Sequence, residues 1–273
     1  MARKKIYIYI GLILFALIAL APILWVFTTS LKPASEAMEF PPRLIPNKVT
    51  WENYKFVFTN SYLVRSLINS FIVVIPSAFF SVLISALAAY AFARYKFKGK
   101  DTLFRIMLGL FMIPVLMNII PLYISLQKLN LLNNYLGLIL TYQVLIVPLN
   151  IFMLKNYFET IPVELEEAAM IDGCSRLSAL TKVVLPLVWP GLATASILSF
   201  RFAWNQFLFP LTFTSQPEMQ VFQVAIYNFM GLYQVNWGYL TASIVIGMVP
   251  ILIILIIFQR RFVEGLTAGA VKG

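Results

Sequence analysis

The sequence contains no histidine and a single cysteine, Cys174. Without histidine, both the commonest metal ligand and the usual general base near neutral pH are missing. One cysteine permits no intrachain disulfide and leaves too few ligands for a zinc site, so none is expected. Charge is also scarce. Charged residues make up 12% of the 273 and apolar residues 60%, against about 25% and about 45–50% in a typical soluble domain. That balance excludes an ordinary soluble enzyme and a disordered chain alike. No G-x-x-x-x-G-K-[ST] stretch is present. Gly99-Lys100 is followed by Asp101 and lacks the earlier glycine, so no loop is built to cradle nucleotide phosphates. The net charge is +10, but no basic stripe with interleaved aromatics lies outside the apolar runs, which argues against nucleic acid as a partner.

What is present is a series of long apolar runs. Six are near spanning length: about Ile6 to Phe27, Leu67 to Phe92, Leu103 to Leu126, Leu136 to Leu154, Leu187 to Phe213 and Tyr239 to Phe258. About 20 apolar residues let a helix cross the hydrocarbon core. Continuous runs without alternation read as helices, not barrel strands. The first run follows Arg3, Lys4 and Lys5, and Ala19-Leu20-Ala21 resembles a signal-peptide cleavage site. The run continues through Phe27, however, and Pro22 would follow the scissile bond, so an uncleaved first span is the expectation.

Orientation follows from Lys and Arg. With the N-terminus inside, 14 of the 21 basic residues fall in inner segments and 6 in outer ones, with Arg201 inside the fifth span. The bias places both termini in the cytoplasm. The expected fold is therefore an all-α membrane protein of six transmembrane helices. It would form a single transmembrane domain over residues 1–273, in contact with membrane lipid and lodged in the plasma (inner) membrane. Prolines recur in or beside the runs, at Pro22, Pro76, Pro114, Pro121, Pro148, Pro210 and Pro250. They read either as bends around a translocation path or as the ordinary proline content of membrane helices.

The segment between the fourth and fifth runs, residues 156–186, is the most informative. Thr160 is expected to cap a helix with Pro162 in its first turn. Glu164, Glu166 and Glu167 would lie near the positive end of that helix. Leu165, Ala168, Ala169 and Asp172 share one face at i, i+3, i+4, i+7. Gly173 can take the left-handed turn that ends the helix, and Ser175 can cap a second one. Pro186 would open the next span. On residues alone this is a helix–turn–helix interaction element.

The pattern Glu167-Ala168-Ala169, three residues, Gly173, nine residues, Val183-x-Leu185-Pro186 resembles the EAA loop of binding-protein-dependent ABC importer permeases. The family usually has Ile at the position of Val183. Phe202-Ala203-Trp204-Asn205-Gln206-Phe207-Leu208 resembles a stretch of sugar-importer permeases. Residues 259–273 are similar to the tail of MalG-like permeases of the maltose/trehalose type. The resemblance covers essentially the whole chain. It implies the type I ABC importer permease fold and a transport subunit without catalytic residues, cofactor or metal of its own. A separate pair of ATPase subunits would carry ATP and Mg. It further implies a second, MalF-like permease and an extracytoplasmic sugar-binding protein. The substrate is expected to be a sugar, such as the disaccharides maltose or trehalose or an oligosaccharide. Glu166, Glu167, Ala168, Ala169, Asp172, Gly173, Leu185 and Pro186 would couple to the ATPase. Gly265, Leu266, Thr267, Gly269 and Lys272 would dock the tail between the ATPase subunits.

Polar residues in the spans add a candidate pathway: Asn118, Gln143, Arg201, Trp204 and Asn205, with amides to hydrogen-bond a neutral sugar and an indole to stack on it. Helix–helix hydrogen bonding is the competing role. All eleven Asp and Glu lie outside the spans as drawn, which weakens a proton- or sodium-coupled carrier. A carrier or passive channel for a neutral polar solute, or a membrane scaffold, stays open on residues alone.

Overall fold

A computed structural model of the chain describes residues 2–232 and 235–268, with side chains for 6–228, 230 and 235–258. The described residues are helical, with no strand among them. In chain order the helices are α1 Ala2–Ser30, α2 Ala34–Ala37, α3 Glu52–Thr59, α4 Ser61–Arg94, α5 Lys100–Phe111, α6 Val115–Lys128, α7 Tyr135–Thr160, α8 Glu164–Ile171, α9 Arg176–Ala179, α10 Leu185–Leu187, α11 Trp189–Trp204, α12 Leu208–Phe213, α13 Phe222–Leu232 and α14 Trp237–Ala268. A π-helical turn, Leu180–Val184, joins α9 to α10.

Four helices are long and apolar enough to cross a membrane: Ile6–Ser30 of α1, α4, α7 and Trp237–Phe258 of α14. Two bent pairs would make six. Helices α5 and α6 meet at 100°, and Arg176–Leu187 meets α11 at 77°. Two of the expected spans are therefore not straight. The third breaks at Pro114, which precedes α6. The fifth bends at Val188, before α11, and is interrupted again between Trp204 and Leu208, so Asn205 and Gln206 lie in that second break. Prolines 22, 76, 121, 148 and 250 sit within continuous helices instead.

The chain forms two compact units, Met1–Leu67 with Phe222–Pro250, and Ile68–Val221 with Ile251–Gly273. In the first, Ile6 to Leu24 of α1 are exposed on every side, as suits a helix facing lipid all round. The segment after α1 is ordered by polar contacts. Asn53 is buried and donates to the carbonyls of Ser30 and Lys32, each at 2.8 Å. Val57, Leu63, Phe222, Ala225, Ala242 and Ile246 form this unit's core.

In the second unit α4 presents a stripe at every fourth residue, Val73, Ser77, Ser81, Ser85 and Ala89, all fully buried. Small side chains let membrane helices approach closely. Accordingly Ser85 donates to the Val147 carbonyl of α7 at 3.3 Å, and Gln143 of α7 donates to the Ser77 carbonyl at 3.2 Å. Helix α11 packs on α7 as well. A Cβ on Gly191 would lie 2.6 Å from the Tyr157 ring, and buried Asn150 donates to Ser199 at 2.7 Å. The core of this unit, around Ala89, Tyr90, Leu154 and Phe158, takes in Leu180, Val184 and Val188 at helical spacing. Those three residues seat the second half of the coupling segment.

Candidate coupling loop and transport pathway

Residues 160–186 fold as helix, turn and helix. The first helix starts later than its sequence suggests. Thr160 belongs to the last turn of α7, and its hydroxyl donates to the Tyr157 carbonyl at 2.7 Å. Pro162 therefore lies in the link, and α8 begins at Glu164 with no side-chain cap. Its three first-turn carboxylates, Glu164, Glu166 and Glu167, complement the exposed N–H groups there.

Gly173 has φ +90°, a conformation glycine adopts without steric cost. Its N–H donates to Met170 at 3.1 Å, and that of Cys174 to Ala169 at 3.0 Å, which closes the helix end. The Ser175 hydroxyl then accepts from the Ser178 N–H at 3.3 Å and caps α9. Leu185 and Pro186 lie in α10 and do not open the next helix. Helix α11 starts at Trp189, with Pro190 in its first turn.

The two faces of α8 differ. Glu166 is its one buried residue. The Arg94 guanidinium, from the last turn of α4, forms an ion pair with the Glu166 carboxylate through Nε. Its Nη2 donates to the Ile161 carbonyl at the end of α7, at 2.8 Å. The Tyr90 hydroxyl donates to the second Glu166 oxygen at 2.9 Å. Glu166 thus points into the bundle. Glu167, Ala168, Asp172 and Gly173 are exposed, Ala169 is half-buried, and Leu165 and Ile171 leave 44% and 86% of their surface open. Leu177 of α9 adds a further exposed apolar side chain. A surface of this kind, apolar with an acidic rim, is what a helix-binding cleft recognises.

The pathway residues do not converge on one place. Asn118 and Gln143 line one cavity of about 460 Å³ with Ile84, Met107, Phe111 and Pro148. Gln143 Nε2 is bonded to two carbonyls, whereas its buried Oε1 has no partner among the described atoms. That oxygen is itself enclosed and does not open into the cavity. Trp204 is fully buried and packed between Phe71 and Phe200 at ring distances of 5.0 and 5.6 Å. The expected sugar platform has no open face in this conformation. Arg201 and Asn205 are exposed at the α11–α12 break, with the Arg201 guanidinium 6.0 Å from the Phe202 ring. Of the expected tail residues, Gly265, Leu266 and Thr267 lie in α14 with their side chains outside the described residues, and Gly269 and Lys272 lie outside them altogether.

Two polar anchors escaped sequence reasoning. Asn69 of α4 donates to the carbonyls of Glu218 and Gln220 at 2.8 and 2.9 Å and accepts from the Tyr135 hydroxyl at 2.7 Å. Asn133, at φ +52°, accepts at Oδ1 from the N–H groups of Ser215 and Gln216 at 2.7 and 3.0 Å. Together they fix the 214–220 segment to α4 and to the start of α7. Asparagine is among the residues that tolerate positive φ, but nothing in the sequence pairs positions so far apart.

Comparison with known proteins agrees with this architecture. Residues 81–267 match the model of the binding-protein-dependent transport system inner membrane component. The chain is 42% identical to the sulfoquinovosyl glycerol transport system permease protein of Agrobacterium fabrum, over 93% of this chain and 89% of that one. It is 40% identical to the trehalose transport system permease protein of Mycobacterium tuberculosis, over 93% of each. A chain in the crystal structure of a bacterial ABC transporter involved in the import of the acidic polysaccharide alginate superimposes with a TM-score of 0.83. It is 25% identical, with 96% of this chain and 97% of that chain covered. The chain belongs to the family of binding-protein-dependent transport system inner membrane components.

Proposed function

We propose that this chain is one of two different permease subunits in an ATP-driven importer for a di- or oligosaccharide such as trehalose or maltose. Two ATPase subunits would bind its cytoplasmic side, and an extracytoplasmic sugar-binding protein would deliver the substrate. The observation that carries this reading is α8, held from behind by Arg94 and Tyr90 and open in front at Leu165, Ala168 and Ile171. A helix so placed presents a face to a separate protein while its back is fixed to the bundle. Relatives named for trehalose and sulfoquinovosyl glycerol transport support a glycoside as substrate.

In this mechanism nucleotide-driven closure of the ATPases moves α8, and residues Glu167 to Pro186 carry the motion into the bundle. The bundle crosses the membrane six times with both termini inside, α5 with α6 making the third crossing and α11 with α12 the fifth. Backbone broken at membrane depth persists where it lines a cavity or a protein interface. The α11–α12 break with Arg201 and Asn205 therefore belongs against the partner permease or the pathway. Asn118 and Gln143 form a polar part of the pathway wall, while Trp204 supports it from within. The tail, with Gly265, Leu266, Thr267, Gly269 and Lys272, enters between the ATPase subunits.

The test is ATP-driven uptake of radiolabelled trehalose or maltose by the reconstituted complex. Gly173→Pro should abolish uptake while hydrolysis continues, because proline is fixed near φ −65° and removes the N–H that Met170 accepts. Uptake and sugar-stimulated hydrolysis unchanged in that variant would refute the role of the turn. Uptake that follows an ion gradient without ATP would instead favour a secondary carrier.

A further inference from the structure

Behind the coupling helix lies a buried charge cluster that docking on an ATPase does not itself require. Helix α8 buries no apolar side chain completely, and Ala169 and Met170 are half-buried. Its one buried residue is Glu166, and Leu165 and Ile171 face outward. Its C-terminal exit is the Gly173 turn, where an added Cβ would meet nothing within 4 Å. The second half of the loop differs, since Leu180, Val184 and Val188 are seated in the apolar core. A force applied to α8 thus reaches α4 directly through one side chain, and otherwise only by way of α9 and the π-helical turn, on which α8 also packs.

That side chain is gripped by a guanidinium that holds two other elements as well. Arg94 ends α4, pairs with Glu166 of α8, and donates to the carbonyl of Ile161, where α7 ends. Tyr90, one turn earlier on α4, occupies the other Glu166 oxygen. Only the planar, forked guanidinium fits both acceptors at once, which a lysine ammonium on its single stem does not reproduce. Removed from water, such a pair is costly to open, because each charge would be left without a partner.

We propose that the Arg94–Glu166 pair is a rigid tie that transmits the movement of the coupling helix to α4 and α7, and that it stays closed throughout the transport cycle. The inference rests on the importer reading. Arg94 and Tyr90 are positioning residues and touch neither nucleotide nor sugar.

The test uses the complete complex in a Cys174→Ser background, whose own uptake is the reference. Arg94→Cys and Glu166→Cys are introduced together, and the two thiols are then joined by a short bis-methanethiosulfonate. Three quantities are read: ATPase subunits co-purified, ATP hydrolysed on addition of the binding protein, and radiolabelled trehalose taken up. Without the bridge the ATPases should remain bound and hydrolyse ATP, with uptake per ATP lower by about tenfold. With the bridge, uptake should return toward the reference.

A bridged complex that stays inactive would show that the pair must open, and an unbridged one with full uptake would show that it is not needed. Either result overturns the proposal. If the double variant fails to assemble, Arg94→Lys takes its place, since it keeps the charge but cannot span both acceptors. Lower uptake per ATP supports the tie, and an unchanged ratio contradicts it. Failure of the importer reading would look different, because the Cys174→Ser reference itself would then bring down no ATPase subunit and show no ATP-driven uptake.

Discussion

The two ends of α4 in the larger unit are held by different chemistry. At Arg94 a full charge pair and a tyrosine hydroxyl bind the start of α8 and the end of α7. At Asn69, about 37 Å away along a straight helix of this length, a neutral amide satisfies two loop carbonyls and one hydroxyl. The amide end closes off backbone groups that would otherwise be orphaned near the membrane surface. It is a device for ordering a loop. The charged end joins three separate helices at a single point and leaves most of α8 free of apolar anchoring. That difference separates a static support from a mechanical link. The proposed cycle requires the link to lie on the side that carries the ATPase.

Breaking the charged end should have the largest effect. Arg94→Ala strands the buried Glu166 carboxylate and frees the Ile161 carbonyl, a loss of about 3–5 kcal/mol for a broken buried pair. Thermal unfolding of the purified chain in detergent should reveal it, and uptake should be lost with it. Asn69→Ala should be milder, about 1–3 kcal/mol for the polar groups left unsatisfied. Its signature is faster hydrogen exchange confined to residues 214–220, with ATP hydrolysis retained. Equal loss of uptake per ATP in the two variants would erase the distinction between the ends. Tyr90→Phe should cost about 1.5 kcal/mol, the low end for a hydrogen bond to a charged group, because Arg94 still pairs with Glu166. An effect of Tyr90→Phe as large as that of Arg94→Ala would mean that the hydroxyl, not the charge, holds the helix.

Much of the site is local in sequence and therefore legible there. The Gly173 turn, the Ser175 cap and the exposed face with Ala168 and Asp172 depend on residues within a few positions of each other. The apolar runs likewise announce themselves by length. What was missed depends on long-range pairing. Arg94 and Glu166 are 72 positions apart, and Asn69 reaches carbonyls about 150 positions away. Glu166, grouped by sequence with the ATPase-facing residues, turns inward because Arg94 and Tyr90 meet it there. Proline breaks were likewise ambiguous. Pro114 stands in the gap between α5 and α6, whereas Pro22, Pro76 and Pro148 lie within continuous helices, the first of them in a helix exposed on every side, so neither the residue nor its burial alone decides a break. The start of α8 shifted through packing. Phe158, fully buried in the core, keeps α7 helical to Thr160.

The central claim, that this chain couples through α8 to a separate ATPase, is tested most directly by site-specific cross-linking. In the Cys174→Ser background a cysteine is placed at Ala168, on the open face of α8, or at Ser215, in the segment held by Asn133. The native membrane complex is then treated with a thiol–amine cross-linker, and the captured protein is identified by mass spectrometry. The account predicts that the cysteine at 168 captures an ATPase subunit, that ATP changes the yield, and that the cysteine at 215 captures none. No ATPase captured at 168, or equal capture from both positions, would contradict it.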